Sequence, residues 1–276
     1  MSKPNGLICY DGPSLIDGKP IVLIVTGIAR KSKNSKLGQM LQTWILRKDI
    51  SPTKAYTTGE DFSICGDCRH RLWGTCYVTI WRSPWNVWQA YKRGSYAPLN
   101  YQNMHLLNNK KMRVGSYGEP AAIPFEVWQK LLASGGGLTG YTHAWKRCDQ
   151  RLKQICMASV EMKHEAEKAQ KMGWRYFRAI LPGDNPSKNE FICPASERGG
   201  KKTTCEKCGS CAGTSSKVTK CPLIVIHGQN NVIVHKYMKI QKLRKNHEPY
   251  IKILGPLYRR KIAKSARQRF LAKVRA

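Results

Sequence analysis

From residue 111 to residue 181 the chain alternates short apolar runs with helix-forming stretches: "KMRVGSYGEP", "PFEVWQKLLASGGG", "LTGYTHAW", "QICMASVE", "MKHEAEKAQKMG" and "WRYFRAIL". The apolar runs have strand length, and the stretches between them carry helical spacing. Gly135 and Gly173 stand where the two helices should stop, since glycine accepts the left-handed conformation that closes a last turn. Repeated strand-loop-helix units imply parallel strands with crossover helices. The predicted fold class is therefore α/β, as a complete or partial (β/α) barrel.

Upstream, "PIVLIVTG" reads as a buried strand, and after the polar loop "ARKSKNSK" Leu37, Met40, Leu41, Trp44 and Ile45 recur at helical spacing. A strand, a loop and an amphipathic helix are expected there. In "SPWNVWQAYKRG" Ser83 is placed as the N-cap of a helix with Pro84 at its first position, and Trp81, Trp85 and Trp88 fall on one face of that helix and its lead-in. The chain so divides into a barrel-like core over 1–181, a cysteine-rich segment over 182–222, a final core strand over 223–235 and a basic helical tail over 236–276.

Charge narrows the partners. Lys and Arg number 48 against 17 Asp and Glu, a formal charge of +31, which favours a polyanion because each phosphate contact releases condensed counterions. A nucleic acid, DNA or RNA, is the expected partner. Arg82, Lys92 and Arg93 lie among the tryptophans with Tyr91, where bases can stack and phosphates pair. Arg259, Arg260, Lys261, Arg267 and Arg269 lie in the tail, where residues 236–276 hold 14 basic residues and one Glu. The first twenty residues lack an apolar signal core and no stretch approaches the about 20 apolar residues of a membrane span. A cytoplasmic protein without membrane contact is expected, and its 11 cysteines then suit metal better than disulfides.

Eight of those cysteines fall in two groups. Cys65, Cys68 and Cys76 are spaced Cys-x2-Cys-x7-Cys; Cys193, Cys205, Cys208, Cys211 and Cys221 surround a CxxCxxC core. Three thiolates can hold three irons of a four-iron cluster and leave the fourth open, whereas a closed zinc site needs a fourth ligand, for which His70 is available. The second group suits a second iron–sulfur cluster or a zinc ion, and either would organise a segment too polar to fold by itself. Cys9, Cys148 and Cys156 have no such spacing and are expected to be ordinary core or loop residues.

In α/β sheets chemistry gathers at the C-terminal ends of strands. Three successive ends carry polar residues: Glu119 in "VGSYGEP", Tyr141 and His143 in "TGYTHAW", and Ser159 and Glu161 in "MASVE". Glu119, Tyr141, His143 and Glu161 are the candidate catalytic residues.

The order of these motifs, Cys65, Cys68 and Cys76 followed by Tyr77 and then Gly118-Glu119-Pro120, resembles the opening half of a radical SAM enzyme. The family's usual motif is Cys-x3-Cys-x2-Cys, so the spacing here is a departure. The resemblance implies a 4Fe-4S cluster on the three cysteines and S-adenosylmethionine against Ser116, Tyr117, Gly118, Glu119 and Pro120, with Ser159 facing the cofactor. It covers about residues 60–180. The whole chain also resembles cysteine-rich proteins encoded by phages and prophages, for which the location would be the host cytoplasm. The radical SAM resemblance together with the basic charge leads to the expected activity, modification of a nucleic-acid base or nucleotide. Two other readings stand beside it. One is a zinc-stapled barrel similar to the deazaguanine transglycosylases, with Asp11, Asp67, Asp149 or Asp184 as nucleophile; the other is a zinc-containing nucleic-acid binder without catalysis.

Overall fold

The computed structural model describes residues 4–32, 34–226 and 232–245. Three strands, β1 (Gly6–Pro13), β2 (Pro20–Thr26) and β3 (Leu41–Arg47), form an antiparallel meander. Helices α1 (Pro52–Thr58), α2 (Phe62–Cys65), α3 (Arg69–Trp73) and α4 (Ser83–Lys92) follow, then a two-residue strand β4 (Ala97–Pro98) beside β1. The chain continues through β5 (Met112–Tyr117), α5 (Phe125–Leu132), β6 (Leu138–Thr142), β7 (Met157–Val160), α6 (Lys163–Lys171) and β8 (Tyr176–Ile180). It ends, among the described residues, with β9 (Glu190–Ile192), α7 (Cys205–Cys208), β10 (Cys221–Val225) and α8 (Val232–Lys245).

All ten strands belong to one sheet in the order β4-β1-β2-β3-β5-β6-β7-β8-β10-β9. The expected α/β class holds, but the sheet is open, with β4 and β9 at its edges, so a complete barrel is not formed. Within it β3, β5, β6, β7, β8 and β10 lie side by side and parallel in chain order. The cysteine-rich segment is not separate from this sheet: it contributes β9 and the start of β10.

The helix expected across Leu37 to Ile45 is instead a single 3-10 turn, Ser35–Leu37, followed by β3. Its residues mislead because β3 lies inside the sheet, between β2 and β5, with Leu41, Trp44, Ile45 and Leu46 all buried. A strand buried on both faces loses its polar alternation, and the remaining apolar spacing imitates a helix. Arg82, not Ser83, occupies the cap position of α4, with Ser83 and Pro84 inside the first turn. The last strand ends at Val225, and the basic tail begins inside α8; of that tail, residues 246–276 lie outside the described residues.

The two faces of the parallel strands differ. Met112, Val114, Leu138, Ala158, Val160 and Tyr176 share one core with Phe125, Trp128 and Leu131 of α5 and Ala166 and Ala169 of α6. Side chains alternate along a strand, so Arg113 of β5, Tyr141 of β6, Phe177 and Ala179 of β8 and Pro222 and Ile224 of β10 are left for the opposite face. All of these line a single cavity.

Candidate functional site

That cavity measures about 430 Å³, and both cysteine groups open onto it. Cys65, Cys68 and Cys76 come from the crossover between β3 and β5; Cys193, Cys205, Cys208 and Cys211 come from the crossover between β8 and β10.

The first group is held by tight local turns. Cys65 ends α2, where Gly66 turns the chain with φ 55°, and Cys68 precedes α3. The backbone N–H groups of Thr75 and Cys76 both donate to the carbonyl of His70, each at 2.9 Å, which folds Cys76 back toward the pair. Beneath them Asp61 and Arg71, both buried, form an ion pair, and Arg71 also donates to the Tyr56 carbonyl at 2.9 Å and stacks over its ring. The turn after β5 closes onto this unit: Glu119 N–H donates to the Ile64 carbonyl at 2.6 Å. Gly118, with φ 91°, makes that approach possible, since a Cβ there would lie 2.6 Å from Cβ of Ile45. Burial pushes the Cys68 thiol up to about 12 and the Cys76 thiol up to about 11, and raises Cys65 well above its ordinary value; Cys68 and Cys76 each add to the rise at Cys65. These thiols carry their protons at neutral pH until a metal displaces them.

The second group rests on less. Cys205 and Cys208 are the ends of the one-turn α7, capped by Thr204, whose hydroxyl accepts from Lys207 N–H at 3.3 Å. Its loop is strung on long cations: the Arg175 guanidinium donates to the carbonyls of Ser210, Gly213 and Lys220 at 2.7–2.9 Å, and Lys111 to that of Glu206 at 2.6 Å. Tyr141 OH donates to Cys211 Sγ at 3.5 Å, so this candidate catalytic residue is tied to the second thiol group. Burial pushes Cys211 up to about 12, with Cys193, Cys205 and Cys208 contributing. Cys221 does not join them. It is buried in the core on the other side of β10, where Arg175 and Glu190 are the charges it feels. Cys193 is the fourth member of the group. Cys9, Cys148 and Cys156 do not line this cavity and pack in or against the core, as expected of ordinary core residues.

Glu119 is buried, and its carboxylate accepts from Thr142 Oγ1 at 2.6 Å, His143 N–H at 2.9 Å and Ala121 N–H at 3.3 Å. It braces the end of β5 against the end of β6. Ser116 Oγ and Tyr117 OH, by contrast, line the cavity from buried positions without a hydrogen-bond partner, as does Nε2 of His143. Ser159 and His143 border a second cavity of about 350 Å³, which holds Glu161. Burial alone would raise the Glu161 carboxyl; contact with His70, with further help from the Arg69 and His143 charges, brings it down to about 2.

Of the four candidate nucleophiles, Asp11 pairs with Lys48, Asp149 with Arg151, and Asp184 accepts from Leu181 N–H, all at exposed positions away from either cavity. Asp67 borders the smaller cavity and pairs with Arg147. Among the described residues no aspartate lines the larger one.

Among the described residues, the one set of three or more His, Cys, Asp or Glu whose ligand atoms lie within 4.8 Å of one another is His70, His143 and Glu161. Four thiolates about a zinc ion, each about 2.3 Å from it, stand about 3.8 Å apart. Neither thiol group is drawn in that closely. His70 faces Glu161 rather than completing the first group: its Nε2 is 3.5 Å from Glu161 Oε1.

On α4, Pro84 and Val87 are buried, Trp85 and Trp88 stack at 5.8 Å between ring centroids, and Lys92 Nζ lies 5.7 Å over Trp88. Trp88 is anchored through Nε1 to the Arg47 carbonyl at 3.1 Å, while Trp81 is 69% exposed. The tryptophans thus do not share one environment. Arg82, Lys92 and Arg93 are exposed; Arg259, Arg260, Lys261, Arg267 and Arg269 lie outside the described residues. No helix among the described residues is long and apolar enough to cross a membrane. Arg113 is a lining residue that no motif marks; its signal was its alternation with the core residues Met112 and Val114 on β5. Its guanidinium donates to Tyr77 OH at 2.6 Å.

No family model matches the chain, and no curated protein or solved structure matches it either.

Proposed function

We propose that the chain is a radical-SAM-like iron–sulfur enzyme that modifies a nucleic-acid base or nucleotide. The observation that carries this reading is the meeting of Cys65, Cys68 and Cys76 with Ser116, Tyr117, Gly118 and Glu119 on one cavity, joined through the Glu119 N–H to Ile64 carbonyl bond; Pro120 is buried behind the turn and does not reach the cavity. The six parallel strands in chain order, β3 to β10, are those a partial (β/α) barrel needs, with the three-cysteine loop after the first and the Gly-Glu-Pro turn after the second. The unpartnered Ser116 and Tyr117 hydroxyls offer hydrogen bonds to a polar cofactor beside the three thiols.

The cluster and S-adenosylmethionine would supply the radical chemistry; the chain binds, orients and excludes water. Glu119 fixes the turn, and Arg113 places a cation in the cavity suited to a phosphate. Cys193, Cys205, Cys208 and Cys211 would hold a second iron–sulfur cluster or a zinc ion. The +31 charge and the exposed Arg82, Lys92 and Arg93 favour a nucleic-acid substrate.

Iron and sulfide analysis of anaerobically purified protein tests this directly. Cys76→Ala is expected to lose the iron of the first group and the binding of S-adenosylmethionine while keeping its fold by circular dichroism. Full iron and cofactor binding by that variant would contradict the assignment.

A further inference from the structure

Where the two cavities meet, His70, His143 and Glu161 converge, and we propose that they hold a single divalent first-row cation, Fe2+ or Mn2+ in its place, separate from any thiolate-bound metal. This goes beyond the radical reading and gives His143 and Glu161 the role of ligands.

The geometry carries the inference. The three ligand atoms lie within 4.8 Å of one another, and His70 Nε2 and Glu161 Oε1 are 3.5 Å apart. Two ligands at about 2.1 Å from an ion, at the right angle of a facial site, stand about 3.0 Å apart, so this pair lies about half an ångström wider than a coordination edge, a gap that a small side-chain rotation closes. Nε2 of His143 is buried without a hydrogen-bond partner, an expense that a metal bond removes.

The ligands are also held from outside. Nδ1 of His70 meets Thr75 Oγ1 at 3.0 Å, and His143 is fixed through its backbone N–H to the Glu119 carboxylate at 2.9 Å, with its Nδ1 3.9 Å from that carboxylate. The second oxygen of Glu161 is 3.0 Å from the Arg69 guanidinium. Metal-bound histidines and carboxylates are ordinarily oriented by such outer partners. The His70 ring is further held against Tyr237 at 6.1 Å and Trp73 at 5.9 Å between centroids.

Two imidazoles and one carboxylate on one face of an ion leave its other positions open, the arrangement of non-haem Fe2+ sites. Here those positions open toward the cavities that His143 and Ser159 share, so the expected further ligand is an oxygen donor: water, or a phosphate or carbonyl oxygen of the substrate.

Mn2+ tests the site because it favours nitrogen and oxygen donors over thiolates. The full chain, freed of loosely held metal and titrated with Mn2+ under electron paramagnetic resonance, is expected to bind one equivalent. His143→Gln and Glu161→Gln should each weaken binding at least about tenfold, and the isosteric glutamine at 161 guards against a mere folding defect. Cys65→Ser/Cys68→Ser/Cys76→Ser should lose its iron and keep the manganese, so failure of the cluster assignment is distinguishable from failure of this one. Absence of stoichiometric Mn2+, unchanged affinity in either glutamine variant, or loss of manganese with the three thiols would overturn the proposal.

Discussion

The two thiol groups face the same space and are built in opposite ways. Around Cys65, Cys68 and Cys76 the chain has its own reasons to fold: Ile64 in the core, a buried Asp61–Arg71 pair, and a backbone bond to the β5 turn. Around Cys205, Cys208 and Cys211 there is a one-turn helix with no buried residue, tied to the sheet by one backbone bond, Gly140 N–H to the Cys211 carbonyl at 3.1 Å, and otherwise by the side chains of Arg175 and Lys111 to backbone carbonyls. A site set into a packed scaffold can lose its metal and keep its shape, which suits an open, reactive centre. A site whose loop buries only a few small side chains, Ala195, Ser196 and Ser210 among them, leans more on its metal for its shape, which suits a staple or an electron relay.

The sharpest way to break this contrast is to remove metal from both. Structural thiolate sites contribute about 10–16 kcal/mol of apparent binding energy to folding, so the second segment should open when its metal is chelated. Hydrogen exchange of the metal-free chain is expected to lose protection across residues 196–216 while the amides of 64–76 keep theirs. Equal loss in both segments would erase the distinction.

The converse attacks the first scaffold. Asp61→Asn leaves the buried Arg71 guanidinium without its counter-charge, a change that costs about 3–5 kcal/mol in such pairs. The metal-free variant should melt at a clearly lower temperature, with iron loading at the first group reduced and metal at the second retained. An unchanged melting temperature would mean that the thiols are not positioned by this pair.

Proton release gives a smaller, graded effect. Burial raises the thiols of Cys68 and Cys76 to about 12 and about 11, so each must give up a proton to become a ligand at neutral pH. The apparent metal affinity should climb with pH, about tenfold per unit for each proton released, until those values are approached. For the metal-free fold the sign reverses. A raised folded value stabilises below the ordinary thiol value of 9.0 and that contribution is lost as pH climbs toward 11 and 12, so unloaded protein should weaken in base. Metal titrations and melts from pH 6.5 to 10 check both directions.

Much of the parallel sheet was legible. β5, β6, β7 and β8 and helices α5 and α6 stand close to where periodicity and the following glycines put them, because each strand pairs with near neighbours in sequence and each helix buries one stripe; the last strand, expected over 223–235, is only Cys221–Val225, and residues 232–235 are helical. β3 was misread because burial on both faces removes alternation. β4 and β9, of two and three residues, exist only through pairing with β1 and β10, a tertiary cause no local pattern carries. In the site, the two cysteine groups were visible as groups, yet their meeting on one cavity depends on two crossovers separated by more than a hundred residues. The convergence of His70 with His143 and Glu161 was hidden for the same reason. Arg113 required knowledge of which face of β5 looks inward.

Cys221 gives the finest test of the contrast, because spacing and geometry disagree about it. By spacing it is an outlying member of the second group; by position it is a core residue whose neighbour Pro222, not itself, reaches the cavity. Cys193 and Cys221 are both buried, so truncating either to alanine removes a similar volume and costs on the order of 1 kcal/mol from packing alone. Their effects on metal should nonetheless part: Cys193→Ala is expected to lose the second metal and expose residues 196–216 to proteolysis, while Cys221→Ala keeps its full metal content. Metal loss in Cys221→Ala with retention in Cys193→Ala would exchange their roles and require β10 to rotate its cysteine toward the cavity, breaking the pairing of Cys221 with Glu190 on β9.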